Sequence, residues 1–204
     1  MCYSSEASLI AFILSALISY NLYKRNKNYD RPIAIIIFGI SIIQIAEFFM
    51  HLNYDCDSKL NKYSSLFGLL VLLLIQPLFS IISTIYTQNK KITNEVIIQF
   101  ALWIIYILYM VLNFWPNSKE LCTTKNCEGD CKLTWNWLKT NGDTIFMILY
   151  NLIILLIPLY VMYKNNMNKM LMWIFYLIMS VIFIYKNKYF GTLWCFWGPL
   201  GAYL

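Results

Sequence analysis

A single histidine, His51, stands in 204 residues, and only 13% of the residues are charged. One imidazole does not build an intramembrane zinc hydrolase, whose metal needs several histidines or other donors converging on one ion. No lysine lies inside the last apolar stretch, so the Schiff base of a retinal protein has no amine there. The chain also lacks a G-x-S-x-G turn, a phosphate-cradling glycine loop and the basic, aromatic surface that holds nucleic acid. Neither a cofactor nor a metal is expected. What is abundant is apolar: 60% of the residues are hydrophobic, with seven Trp, 16 Tyr and 13 Phe. One soluble core does not need so much, and aromatic rings with a polar edge settle at the headgroup boundary. The expectation is an all-α, multi-pass membrane protein whose first partner is the lipid bilayer.

Apolar stretches run at about Ala7–Tyr23, Pro32–His51, Leu66–Tyr86, Val96–Trp115, Thr144–Tyr163 and Met170–Tyr185. Each approaches the ~17–25 residues a tilted helix needs to cross ~30 Å of hydrocarbon. A seventh stretch, Tyr189–Leu204, is short and carries Gly191, Gly198, Pro199 and Gly201. It either crosses as a broken helix or re-enters and leaves on one side, because backbone freed by Gly and Pro needs cover from protein or water. Residues 1–204 thus read as one polytopic domain of six transmembrane helices and a short seventh, with one sizeable extramembrane loop at 116–143.

No basic residue precedes the first stretch, while Lys24, Arg25, Lys27 and Arg31 follow it. It is expected to be a retained helix with its N-terminus on the non-cytoplasmic side. The cytoplasmic loops then hold those four together with Lys90, Lys91, Lys164 and Lys169, against Asp30 and Glu95. Their balance equals the net charge of +6. A solvated loop and an attraction to anionic headgroups both account for such an excess.

Under this topology no cysteine falls in a cytoplasmic loop. Cys2, Cys56, Cys122, Cys127, Cys131 and Cys195 all lie on the outer side, where an even count suits disulfides. Zinc is the rival for Cys122-x4-Cys127-x3-Cys131, but the spacing is irregular and lacks a paired C-x2-C. Free thiols packed as small apolar groups are the bland alternative, above all for Cys2 and Cys195. At least two disulfides are expected, with Cys122, Cys127 and Cys131 among their members, making loop 116–143 a stapled cap on the membrane.

The polar residues inside the apolar stretches are few. Gln44, Glu47 and His51 are spaced i, i+3 and i+7 and share one helix stripe near the outer end of the second stretch. A carboxylate there is costly against lipid, so it is expected to face the bundle or a wet cavity, protonated or paired. Glu6 lies at the same outer level, and Gln76 and Asn151 place amides near the middle. Two readings stand side by side: these groups bind protons or small cations in a cavity opening outward, or they hydrogen-bond helices together.

At the two ends, Cys2-Tyr3-Ser4-Ser5-Glu6-Ala7-Ser8 is similar to a C-W-S-x-E-A-S opening, and Gly191-Thr192-Leu193-Trp194-Cys195 to a G-S-L-W-C close. The chain so resembles an uncharacterised family of small polytopic membrane proteins of giant viruses and some bacteria. Tyr3 and Thr192 depart from that pattern, which has Trp and Ser. The resemblance implies topology and source, with a host endomembrane or virion membrane as location, and no mechanism. The bias toward Ile, Asn and Lys is compatible with an A+T-rich viral genome.

Three function classes follow: a small channel or transporter using Glu47 and His51, a structural or interaction protein of a viral or host-derived membrane, and a membrane-embedded enzyme with Glu6, Glu47 and His51 as acid–base groups. The enzyme reading lacks an evident nucleophile.

Overall fold

The computed structural model describes residues 4–114, 120–126, 132–136, 143–175 and 178. The seventh stretch, much of the sixth, and Cys2, Cys127, Cys131 and Cys195 lie outside those residues. The helices are α1 (Ser5–Arg25), α2 (Asp30–Leu52), α3 (Lys59–Thr87), α4 (Asn94–Phe114), α5 (143–163) and α6, which starts at 167. The first four are long and apolar enough to cross a bilayer; the apolar part of α5, Ile148–Tyr163, is shorter. Among the described residues, four of the six expected stretches thus form helices of spanning length.

The first helix shows how weakly patterned residues become a packed helix. Ser4 caps it, its hydroxyl accepting from the Ala7 N–H at 3.2 Å. Asn26 closes it in the left-handed region (φ 51°), returning its N–H to the Leu22 carbonyl. Its buried residues are Ser8, Ala11, Ser15, Ser19 and Leu22, a narrow and mostly small stripe that lets α1 lie close against α2. The opposite face, with Leu9, Ile13, Leu17 and Tyr20, is exposed. Close approach recurs between α2 and α3, where a β-carbon on Gly39 would come within 2.5 Å of Phe79 Cβ.

α3 is the hub, packing against α2, α4 and α5. It is also broken. Pro77 has no N–H, and in an α-helix its ring would press on the Leu73 carbonyl. The chain answers with a π turn over Val71–Ile75, in which the Gln76 N–H reaches back to Val71. The same device appears in α5, where a π turn over Leu152–Leu156 precedes Ile157-Pro158.

Carbonyls released at these turns need donors, because no water reaches them in hydrocarbon. In α3 the donors come from α4: the Trp103 indole N–H reaches the Leu73 carbonyl at 2.7 Å, and the Tyr106 hydroxyl the Leu72 carbonyl at 3.4 Å. In α5 they come from α3 and α4. Ser80 Oγ donates to the Ile153 and Ile154 carbonyls at 2.9 and 3.1 Å, and Gln99 Nε2 to the Ile153 carbonyl at 2.7 Å.

Two features mark the end that carries the disulfide. α3 starts at Lys59, seven residues before the apolar run at Leu66, because its first turns lie under the loop rather than in lipid. Within the loop, β1 (Thr123–Asn126) and β2 (Lys132–Trp135) form an antiparallel hairpin, with Thr123 opposite Trp135. Beside this two-stranded hairpin the described chain is helical, in keeping with an all-α membrane protein. The hairpin is held by Asn61, whose amide donates to the Thr123 and Asn53 carbonyls at 2.7 and 3.0 Å. Its Oδ1 accepts from the Thr123 N–H and from Ser65, so all four bonds an amide side chain can make are made. Trp135 is buried and reaches α3 beside Gly68 and Met50.

Candidate functional site: a buried polar seam

The α2 stripe lies inside the bundle. Glu47 is 3% exposed and Gln44 4%, while His51 at the helix end is half-buried. Both inner residues are engaged within the protein. The helix puts them there because its other face, with Phe38, Phe49 and Leu52, is apolar and exposed. His51 Nδ1 is 2.8 Å from the Tyr54 hydroxyl, and the two rings meet edge to face. Exposed Glu6 lies within electrostatic range of both His51 and Tyr54. The structure thus brings Glu6, His51 and Tyr54 together at the outer end. Burial, and secondarily the charge of Glu6, push the Tyr54 phenol above its ordinary range.

One turn inward of Gln44, the polar path changes helix. Gln76 Nε2 donates to the Ile40 carbonyl of α2 at 3.1 Å, and Gln76 Oε1 accepts from the Tyr150 hydroxyl of α5 at 2.6 Å. From Gln76 the stripe continues down α3 through Ser80, Ser83 and Thr84, all buried. Ser83 Oγ donates to the Pro32 carbonyl of α2 at 2.9 Å. Thr84 and Thr87 return their hydroxyls to the Ser80 and Ser83 carbonyls. Buried polar groups therefore follow one another from the outer half of α2 to the inner half of α3.

Asn151 is half-buried, immediately before the α5 π turn, and is engaged within the protein. It is the neighbouring Tyr150 that reaches Gln76. Sequence reasoning missed Ser80, Ser83, Gln99, Trp103 and Tyr150. Gln99 had a signal, as the one amide in the apolar run 96–112 of α4, and the serines had theirs in helical spacing from Gln76. Trp103 and Tyr150 had none, since aromatics in a membrane helix serve lipid contact equally well.

Cys56 and Cys122 form a disulfide across 66 residues, joining the α2–α3 loop to the residue just before β1. Cys122 was an expected member. Its partner is not one of the nearby cysteines, because the hairpin docks on the start of α3 and carries Cys122 to Cys56. Among the described residues no group of three or more His, Cys, Asp and Glu side chains is placed to hold a metal ion.

Together these features define a class: a helical chain with a small β-hairpin cap, four helices able to cross a bilayer, and a polar seam between two of them. No protein-family model, curated protein or solved structure matches it.

Proposed function

We propose that the chain is a multi-pass membrane protein that passes protons or small cations along the α2–α3 seam. Glu47 is its ionisable station, and His51 is the pH-responsive group at the outer mouth. One observation carries this reading: a buried carboxylate opens a file of buried polar groups that continues from α2 into α3. In this topology α5 and α6 complete six crossings, 189–204 supplies the short seventh, and the N-terminus is non-cytoplasmic, as the density of basic charge supports. The chain-end resemblance and the Ile-, Asn- and Lys-rich composition support a host endomembrane or virion membrane.

Reconstituted protein tests it. Wild type should show pH-dependent proton or cation flux in proteoliposomes, and Glu47→Gln should abolish it in protein that still folds and inserts. His51→Gln should shift the pH midpoint. Wild-type protein that passes neither protons nor common cations sinks the reading.

A second reading, a structural or interaction protein of a viral or host-derived membrane, is favoured by a different observation. Gln76, Ser80 and Ser83 each bond a neighbouring helix, so the seam also works as a clamp. Under that reading Glu47→Gln leaves permeability untouched and the stapled cap is the contact surface.

A further inference from the structure

The end of the molecule opposite the disulfide gathers three loops. Arg31 ties the first to the second: its guanidinium reaches the Tyr23 carbonyl at 3.3 Å and the Tyr86 hydroxyl at 2.9 Å. Tyr29 meets Tyr163 edge to face at 5.3 Å, which brings in the third. This end carries eight basic side chains and two carboxylates. Asp30 is held by Arg25 at 2.6 Å and Glu95 by Lys164 at 3.2 Å. Eight minus two leaves six cations, Lys24, Lys27, Arg31, Lys90, Lys91 and Lys169, with no carboxylate partner among the described residues.

Charge alone fits a solvated loop, but two further features do not. Bare apolar side chains stand at the loop tips: Ile92, 74% exposed, follows Lys90-Lys91, and Met167, 56% exposed, sits between Asn166 and Asn168. Several of the cations also lie over aromatic faces: Lys24 over Tyr20, Arg31 over Tyr23 and Lys169 over Tyr163, at 5.0–6.0 Å. Water does not reward an exposed isoleucine between polar neighbours, whereas a headgroup layer takes up apolar tips, amphipathic rings and long cationic stems together.

We propose that this end is a contact surface for anionic phospholipid: the six cations engage lipid phosphates of the adjoining leaflet while Ile92 and Met167 enter the acyl boundary. An acidic protein segment would match the charge, but the loop tips lie beside the ends of lipid-facing helices, where lipid is the neighbour at hand. Each basic group near an anionic surface contributes on the order of 1 kcal/mol, so the lysine pair Lys90 and Lys91 should matter by about thirtyfold in affinity.

The test uses the full-length chain, delipidated in detergent, with retained lipid counted by native mass spectrometry during titration with phosphatidylglycerol or phosphatidylcholine. Phosphatidylglycerol should be held at least about tenfold more tightly, and less tightly as salt rises. Lys90→Gln with Lys91→Gln should weaken it about thirtyfold, and Ile92→Ser should weaken it at every salt concentration. If the double variant does not fold, Lys27→Gln with Lys169→Gln serves instead. Equal retention of the two lipids, undiminished binding by a folded double variant, or competition by millimolar inorganic phosphate overturns the proposal. A polyglutamate peptide that binds this end and displaces phosphatidylglycerol overturns it in favour of a protein partner. Ion flux plays no part in these readouts, so their outcome is independent of the seam.

Discussion

The two ends of the bundle are built on opposite plans. The outer end is fastened by a covalent bond between Cys56 and Cys122 and by a fully satisfied buried amide, Asn61. The inner end is fastened by a partly exposed ion pair, by Arg31 reaching two tyrosines, and by asparagines at helix ends in the left-handed region, Asn26 and Asn89. A hairpin cap without a hydrophobic core of its own needs a staple. Loops of a few residues between long helices need only a turn residue and charge. The difference teaches that the strength of each end follows from the length of chain it must hold.

Breaking the staple should have the largest effect. Loss of the 66-residue closure in Cys56→Ser should destabilise the outer end by on the order of 4 kcal/mol by chain entropy. Thermal unfolding of the variant should fall well below that of the oxidised wild type; a variant melting with the oxidised protein would show that the cap is held otherwise.

Next in size, Asn61→Ala leaves the Thr123 N–H and carbonyl without their partner and should lower stability by about 2 kcal/mol. Proteolysis within loop 116–143 should rise while cleavage of the inner loops does not.

Asp30→Asn at the other end should register below about 1 kcal/mol, because Arg25 is 44% exposed and water screens the pair. Thermal melts of this variant falling as far as those of Asn61→Ala would erase the contrast between the ends.

The smallest expected effect is on pH. The Tyr54 phenol is raised in the folded chain, so its contribution is complete below the unfolded value near 10 and disappears as pH climbs through the folded one. Melting temperatures between pH 9 and 11 should fall more steeply for wild type than for Tyr54→Phe; parallel curves would show that Tyr54 does not carry the alkaline transition.

Much of this contrast was legible before folding. Runs such as Pro32–His51 mark helices because nothing else hides so many apolar residues, and the inward turn of Glu47 follows from the cost of a carboxylate in lipid. The disulfide partner was not legible, because it depends on where the hairpin docks, and the Asn61 bonds to Thr123 that hold it there join residues 62 apart in sequence. Nor were Trp103 and Ser80 as donors: the prolines announce that carbonyls will be freed, but only helix packing decides which neighbour answers.

The wide turn in α3 also bears on counting. Along this helix the small and polar residues on the inward face fall at Asn61, Ser65, Gly68, Gln76, Ser80, Ser83 and Thr87. Steps of four and three carry the file from Asn61 to Gly68 and from Ser80 to Thr87, but Gly68 to Gln76 spans eight residues where two such steps make seven. The extra residue is the one that Val71–Ile75 absorbs. The helix is thus a regular heptad with a single insertion, and the two halves remain in phase across it. Removing one residue inside Val71–Ile75 keeps both faces in phase but returns the Pro77 ring to the carbonyl four residues before it, whereas removing one residue between that turn and Ser80 turns everything beyond it by about 100° and carries Ser80 out of the seam. For this helix one wide turn does two things at once: it frees the proline ring and keeps the inward face in register.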